Sequence, residues 1–477
     1  MKDRKTAIII LTVGIGTFMS ALDTSIVNLA LPLIKNSFGV SMSMVEWIVT
    51  AYLLVVSSLL LTFGRLSDLY GHKKVYLTGF VIFTVGSLLC AVSANISLLI
   101  AFRVVQAVGA GMLYSTGPAI ITNAVPPENR GKALSITAVA VALGLCAGPV
   151  LGGTLSTLLG WQSIFFVNVP IGIFGAIMVI KNIPSEKKTE PVPFDFAGSS
   201  LIFFALLLIL LPLDISGDYS IPPALFIGSV AAGFLLIACF VVREKRFPFP
   251  MLDMDFFKNR VFAASNAAAV FIYMSEFIMI FLTPFYLQTL RGYTAMQSGL
   301  LYMPMPLATM LIAPISGSAS DRVDSRYISS AGALILACGL YMLSFLKAET
   351  PNTYIIVAML VSGAGFGMFQ TPNNSAIMGS VPLKNRGTAS GTLATMRNIG
   401  MVLGVAVSGS LFSHSQRKAE ELFSSQGQTG NLLSGSAFIF ALHITALVAA
   451  AIAVAAMVAS FVKGKVPTEI DRKRENA

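Results

Sequence analysis

Gly64-Arg-Leu-Ser-Asp-Leu-Tyr-Gly-His-Lys-Lys74 lies between two long apolar runs and holds two glycines, a carboxylate and a basic cluster within eleven residues. Gly64 and Asp68 are four apart, so at the end of a helix they share a face. Gly71 offers a turn, after which His72, Lys73 and Lys74 are expected to stay in water, on the side where basic residues gather. A reduced copy, Gly317-Ser-Ala-Ser-Asp-Arg322, repeats the Gly-to-Asp spacing 253 residues downstream. A second pair, Glu128-Asn-Arg-Gly-Lys-Ala133 and Lys384-Asn-Arg-Gly-Thr-Ala389, shares Asn-Arg-Gly-x-Ala at an offset of 256. Two loop motifs repeating at nearly one interval predict a duplicated six-helix unit.

The solvent of this chain is the bilayer. Its 477 residues are 55% hydrophobic and 11% charged, whereas a soluble domain carries roughly a quarter charged residues. Fourteen apolar runs, each long enough to span a membrane, recur from end to end. With the N-terminus inside, 25 of the 32 Lys and Arg fall on the side of the two termini and five on the other, which puts both termini in the cytoplasm. The net charge of +10 then reflects topology and attraction to anionic headgroups, and no nucleic-acid-binding motif accompanies it. Four cysteines show no metal-ligand spacing and read as buried, small apolar residues. With no nucleotide-binding loop and no catalytic motif, the chain is read as a non-enzyme without cofactor or metal, driven by an ion gradient.

Charged residues inside the spans are the functional candidates. Asp23 lies about 24 Å along the first span, in its outer half, where a carboxylate must face protein or water. Glu276 follows Asp23 by 253 residues, and Pro284 follows Pro32 by 252, so two acids fall at matching places in the two halves. Arg103 needs a carboxylate, a carbonyl or water, and Arg397 is read as paired with a carbonyl, with a substrate role as the alternative. His443 reads as a packed helix residue. Ser43-Met-Val-Glu46 reads as a capping box opening the second span. In the fifth, Gly144, Gly148 and Gly152 recur every four residues beside Pro149 and Gly153, a ridge where backbones can touch and a helix can bend. Trp161-Gln-Ser-Ile-Phe-Phe-Val-Asn-Val-Pro-Ile-Gly172 leads into the sixth.

These motifs resemble the major facilitator superfamily, in its fourteen-helix drug:proton antiporter branch, the Emr- and Qac-type exporters. Gly64, Arg65, Asp68, Gly71, Lys73 and Lys74 match the superfamily loop motif, with Gly317, Asp321 and Arg322 as its second copy. Arg103 with Gln106 matches the fourth-helix motif, although Ala107 stands where Gly is usual. Gly144–Gly153 matches the antiporter motif. Asp23 with Asn28, Ala30 and Pro32 matches the first-helix signature of the branch, and Trp161–Gly172 matches too, except that Gln162 replaces Arg. The resemblance implies an all-α integral membrane fold of two six-helix bundles, residues 1–183 and 261–462. Residues 184–260 would form a linker with two inserted helices, and 463–477 a cytoplasmic tail.

The expected function is export of amphipathic, cationic drugs across the cytoplasmic membrane in exchange for protons, by alternating access. Asp23 and Glu276 are the coupling acids and Arg103 tunes them. The two loop motifs gate the cytoplasmic side. Tyr52, Tyr114, Tyr273, Phe277, Phe369 and Gln370 are the candidate substrate-binding set. The expected partners are the lipid bilayer, protons and small amphipathic substrates, with an accessory export protein left open. A dedicated exporter of an endogenous lipid or metabolite, and a non-transporting sensor, are the alternatives.

Overall fold

The computed structural model describes residues 2–125, 130–184, 195–215, 222–247, 254–320, 322–382 and 386–464. Every regular element among them is helical. The first part holds α1 (Lys2–Phe38), α2 (Met42–Tyr70), α3 (His72–Ala91), α4 (Ile96–Ala124), α5 (Arg130–Leu159), one-turn α6 (Ser163–Phe166) and α7 (Asn168–Asn182). Two helices follow, α8 (Phe196–Ile215) and α9 (Pro223–Arg246). The remainder holds α10 (Arg260–Phe285), α11 (Ala295–Tyr302), α12 (Pro304–Ser320), α13 (Ser325–Leu343), α14 (Asn352–Gly379), α15 (Arg386–Ser425) and α16 (Gly430–Val462).

Thirteen helices among the described residues are long and apolar enough to cross a membrane, and Phe196–Ile209 adds a shorter apolar helix. The chain groups into two compact units. One is Met1–Leu208 with Ala231–Leu252 and Thr294–Gly299; the other is Ile209–Val230 with Asp253–Tyr293 and Leu300–Ala477.

Inside each unit the helices pair in one order. In the first, α1 lies along α5, α3 along α4, α2 against α4, and α7 against α3. In the second, α10 lies along α15, α13 along α14, α12 against α14, and α16 against α13. Glycine contacts fix the register of the repeat. A Cβ on Gly86 would sit 2.7 Å from the Gln106 nitrogen, and one on Gly339 would sit 2.6 Å from the Ser362 nitrogen. Gly79 likewise faces the Gly109 carbonyl, as Gly332 faces that of Gly365. Thus α3 maps onto α13 at an offset of 253 and α4 onto α14 at 256, the intervals carried by the loop motifs.

The small-residue ridge of α5 is also duplicated. A Cβ on Gly144 would lie 2.7 Å from the Phe18 carbonyl oxygen, and one on Gly148 would collide with the Ser25 hydroxyl. On α15, Gly400 and Gly404 come as close to α10, with a Cβ 2.5 Å from the carbonyl oxygens of Val270 and Met274. Ser408 completes that ridge by donating to the Ile278 carbonyl at 3.0 Å. Gly400, Gly404 and Ser408 stand 256 residues after Gly144, Gly148 and Gly152. Pro149 has no such counterpart, since Val405 occupies its register.

The loop motif is a one-residue break. Gly71 ends α2 and begins α3 at φ 92°, a region that favours glycine. The expectation that all three following basic residues stay in water is corrected. His72 is buried, and Lys73 turns back so that Nζ donates to the Ile180 carbonyl at 2.9 Å, in the last turn of α7. A helix C-terminus presents unsatisfied carbonyls, and a lysine satisfies one. Lys74 alone of the three is exposed. Gly317 packs against Thr371, with 2.9 Å from a Cβ to the side chain, and Arg322 is exposed. The side chains of Arg65 and Asp68, the whole of Asp321, and the tail beyond Gly464 lie outside the described residues.

Three further readings change. The cap of α2 is Ser41, whose hydroxyl accepts from the Met44 nitrogen at 3.2 Å, and not Ser43. The chain turns at Gly39, with φ 63°, so the helix starts two residues early and Ser43 and Glu46 are buried within it. Trp161 does more than open a span: its indole N–H donates to Ser37 Oγ at 3.3 Å and its ring stands 5.4 Å from that of Phe38, tying α6 to the end of α1. Cys239 and Cys338 are exposed on helix surfaces, where the lipid of a bilayer accepts a thiol as readily as a core does.

Candidate functional site

Asp23, fully buried on α1, receives three donors. Arg103 Nη1 donates to Oδ2 at 2.6 Å, and Gln106 Nε2 and Asn168 Nδ2 donate to Oδ1 at 2.8 and 2.9 Å. Arg103 and Gln106 are three apart on α4 and therefore share a face. The arginine is satisfied in its turn. It donates to the Ile48 carbonyl at 3.2 Å and to Gln106 Oε1 at 2.6 Å, and its guanidinium lies 3.9 Å from the Tyr52 ring centre. Phe165 covers it at 5.8 Å. Ser87 Oγ closes the network from α3, accepting from Gln106 Nε2 at 2.6 Å.

Desolvating two charges costs several kcal/mol per ion, roughly, and only excellent geometry with further hydrogen bonds offsets that. Here both conditions hold: Arg103 meets one oxygen of Asp23, and Gln106 and Asn168 meet the other. A proton arriving on Asp23 would leave Arg103 without its counter-charge.

The ridge contacts match α1 to α10 at an offset of 252, which corrects the expected pairing: Ser275 stands in the register of Asp23, and Glu276 lies one residue beyond it, 6% exposed, with no hydrogen bond or ion pair among the described residues. One turn before it, the Tyr273 phenol accepts from Gln370 Nε2 at 2.7 Å, and the Phe366 ring meets Tyr273 edge-on at 5.1 Å. Arg397 comes in from α15, its guanidinium carbon 5.9 Å from the Tyr273 ring centre. The sequence reading gave Arg397 a backbone carbonyl; instead its Nε is buried without a hydrogen-bond partner.

The structure therefore brings Asp23 and Arg103 together, and separately Tyr273 and Gln370. Tyr52 belongs with Arg103. Tyr114 is half-buried on α4, in the register of Gln370. Phe277 and Phe369 are buried where helices touch, against Gly404 and Gly332. Asn168 and Ser87 went unremarked as site residues. The signal for Asn168 was available, since an amide stands alone in the apolar run that begins at Ser163. Ser87, one hydroxyl in an ordinary span, gave none.

A family model described as Major Facilitator Superfamily matches residues 13–405. The chain is 40% identical over 410 residues to "Riboflavin transporter RibZ" of Clostridioides difficile, covering 86% of this chain and 88% of that protein. It is 31% identical over 416 residues to "Multidrug resistance protein Stp" of Mycobacterium tuberculosis, covering 86% and 76%. Among solved structures, a bacterial homolog of the human lysosomal transporter Spinster superposes with a TM-score of 0.69 at 14% identity, covering 96% of this chain and 97% of the other. A peptide transporter of the POT type gives 0.65 at 13%, covering 94% and 93%. At these identities the two structures speak for the fold.

Proposed function

As this chain belongs to the Major Facilitator Superfamily and is a multi-pass membrane transporter rather than an enzyme, we propose that it is a proton-coupled antiporter. It exports amphipathic, aromatic compounds, cations among them, across the cytoplasmic membrane by alternating access. The observation that carries this reading is the buried Asp23–Arg103 pair with Gln106 and Asn168 around it. A carboxylate held by three donors gives up its arrangement only when a proton neutralises it. A proton taken up in one state and released in the other is the exchange that antiport requires.

The same reading assigns the chain to the fourteen-helix branch, with α8 as the fourteenth span, both termini in the cytoplasm, and bundles at residues 1–183 and 261–462. The motifs at Gly64–Lys74 and Gly317–Arg322 gate the cytoplasmic side. Its partners are protons, the surrounding lipid and the substrate. The test is proton release from inverted vesicles on addition of ethidium, compared between native protein and Asp23→Asn at equal expression. Native-level release by the variant would remove Asp23 from coupling.

A second reading is a dedicated transporter of one planar aromatic metabolite. The 40% identity to a protein named a riboflavin transporter favours it. Competition decides between the two: unrelated drugs displace one another from a multidrug site and leave a dedicated one untouched.

A further inference from the structure

Arg397 is the charged group in the second unit that the coupling network does not use. It is half-buried on α15, inside a candidate membrane span, and makes no ion pair among the described residues. Its Nε is buried and lacks a hydrogen-bond partner. A guanidinium held at membrane depth needs an acceptor. It plays no part in the framework common to the two units, because the matching residue 256 earlier is Val141.

Its surroundings say what kind of acceptor fits. Gln370 donates through Nε2 to Tyr273, which leaves its carbonyl oxygen as an acceptor. Tyr273 and Phe366, edge to face, form an aromatic wall. A donor, an acceptor and an aromatic wall suit the edge of a planar ring that carries a C=O beside an N–H.

We propose that Arg397, Gln370 and Tyr273 form a specificity site for the edge of a planar heteroaromatic cyclic imide or amide. Arg397 donates to the ring carbonyl, the Gln370 oxygen accepts the neighbouring N–H, and Tyr273 and Phe366 meet the ring. This rests on the transport reading above and names its substrate class.

The test is fluorescence binding to the purified full-length protein in detergent, without a pH gradient. The probes are lumichrome, its N3-methyl derivative, naphthoate and ethidium. Native protein should bind lumichrome, and N3-methylation should weaken binding about tenfold. Arg397→Ala should weaken lumichrome about tenfold or more while leaving ethidium within about twofold, which also reports that the variant is folded. Arg397→Lys, which keeps the charge and loses the planar fork, should fall between. Gln370→Leu should abolish the penalty for N3-methylation. Failure of native protein to bind lumichrome would overturn the proposal. So would equal weakening of lumichrome and ethidium in Arg397→Ala, an unchanged lumichrome affinity, or tighter binding of naphthoate than of lumichrome. Because no gradient enters the measurement, these outcomes are independent of whether Asp23 couples protons.

Discussion

Asp23 and Glu276 lie one residue out of register in a duplicated framework whose α1 and α10 match at an offset of 252, and their surroundings differ at every polar contact. Asp23 faces Arg103 and Gln106 of α4. The residues of α14 at those registers, 256 later, are Met359 and Ser362. Met359 has nothing to donate, and the Ser362 hydroxyl is spent on the Ala358 carbonyl of its own helix at 2.9 Å. Backbone contacts are kept between the units, glycine for glycine, while the charges have diverged. The lesson is that packing and electrostatics are separate layers on one scaffold. The first acid is ringed by three donors; the second is buried with no hydrogen bond or ion pair among the described residues.

The sharpest attack on this comparison is Asp23→Asn, which should abolish proton-driven uptake of ethidium into inverted vesicles. Removing one member of a buried pair also costs about 3–5 kcal/mol, so Asp23→Asn/Arg103→Met is needed beside it. The double variant should recover protein level and thermal stability and remain uncoupled. Recovery of transport along with stability would make the pair a structural staple.

Next in size are the two ridges. Gly148→Leu and Gly404→Leu should each destabilise the protein by about 1–3 kcal/mol or more, through overpacking against α1 and α10. Melting in detergent reads this. A large loss at Gly148 with none at Gly404 would break the claim that the ridge belongs to both units.

Asn168→Ala should be milder. It removes one of three donors to Asp23 and leaves the Arg103 contact, so the expected loss is of the order of tenfold in transport rate. Native rates at equal expression would show that Asn168 is packing only.

Smallest is Glu276→Gln, expected to reduce export of divalent dyes several-fold and to leave monovalent dyes nearly unchanged, since among the described residues the acid has no hydrogen-bond or ion-pair partner to strand. Equal losses for both dyes would end the division of labour.

What the sequence determined on its own was whatever depends on position along the chain. Low charge with long apolar runs dictated membrane helices, because a bilayer leaves backbone groups no other way to be satisfied. The two loop offsets set the repeat, but the 253-residue pairing of Asp23 with Glu276 is off by one, because α1 and α10 meet their ridges at an offset of 252. Gly71 as a turn and Gly148 as a contact point also follow from residue type. Tertiary structure decided which side chains meet. Asn168 and Ser87 reach the Asp23 network from α7 and α3, and spacing within one helix cannot say which other helices converge on a carboxylate. His72 and Lys73 are basic and were read as solvated, but the end of α7 offered a carbonyl at 2.9 Å. Arg397 was expected to meet a backbone carbonyl, as Arg103 meets that of Ile48, yet among the described residues no carbonyl converges on its Nε. Periodicity fixes the face a residue occupies; only the packing of helices supplies, or withholds, the partner across from it.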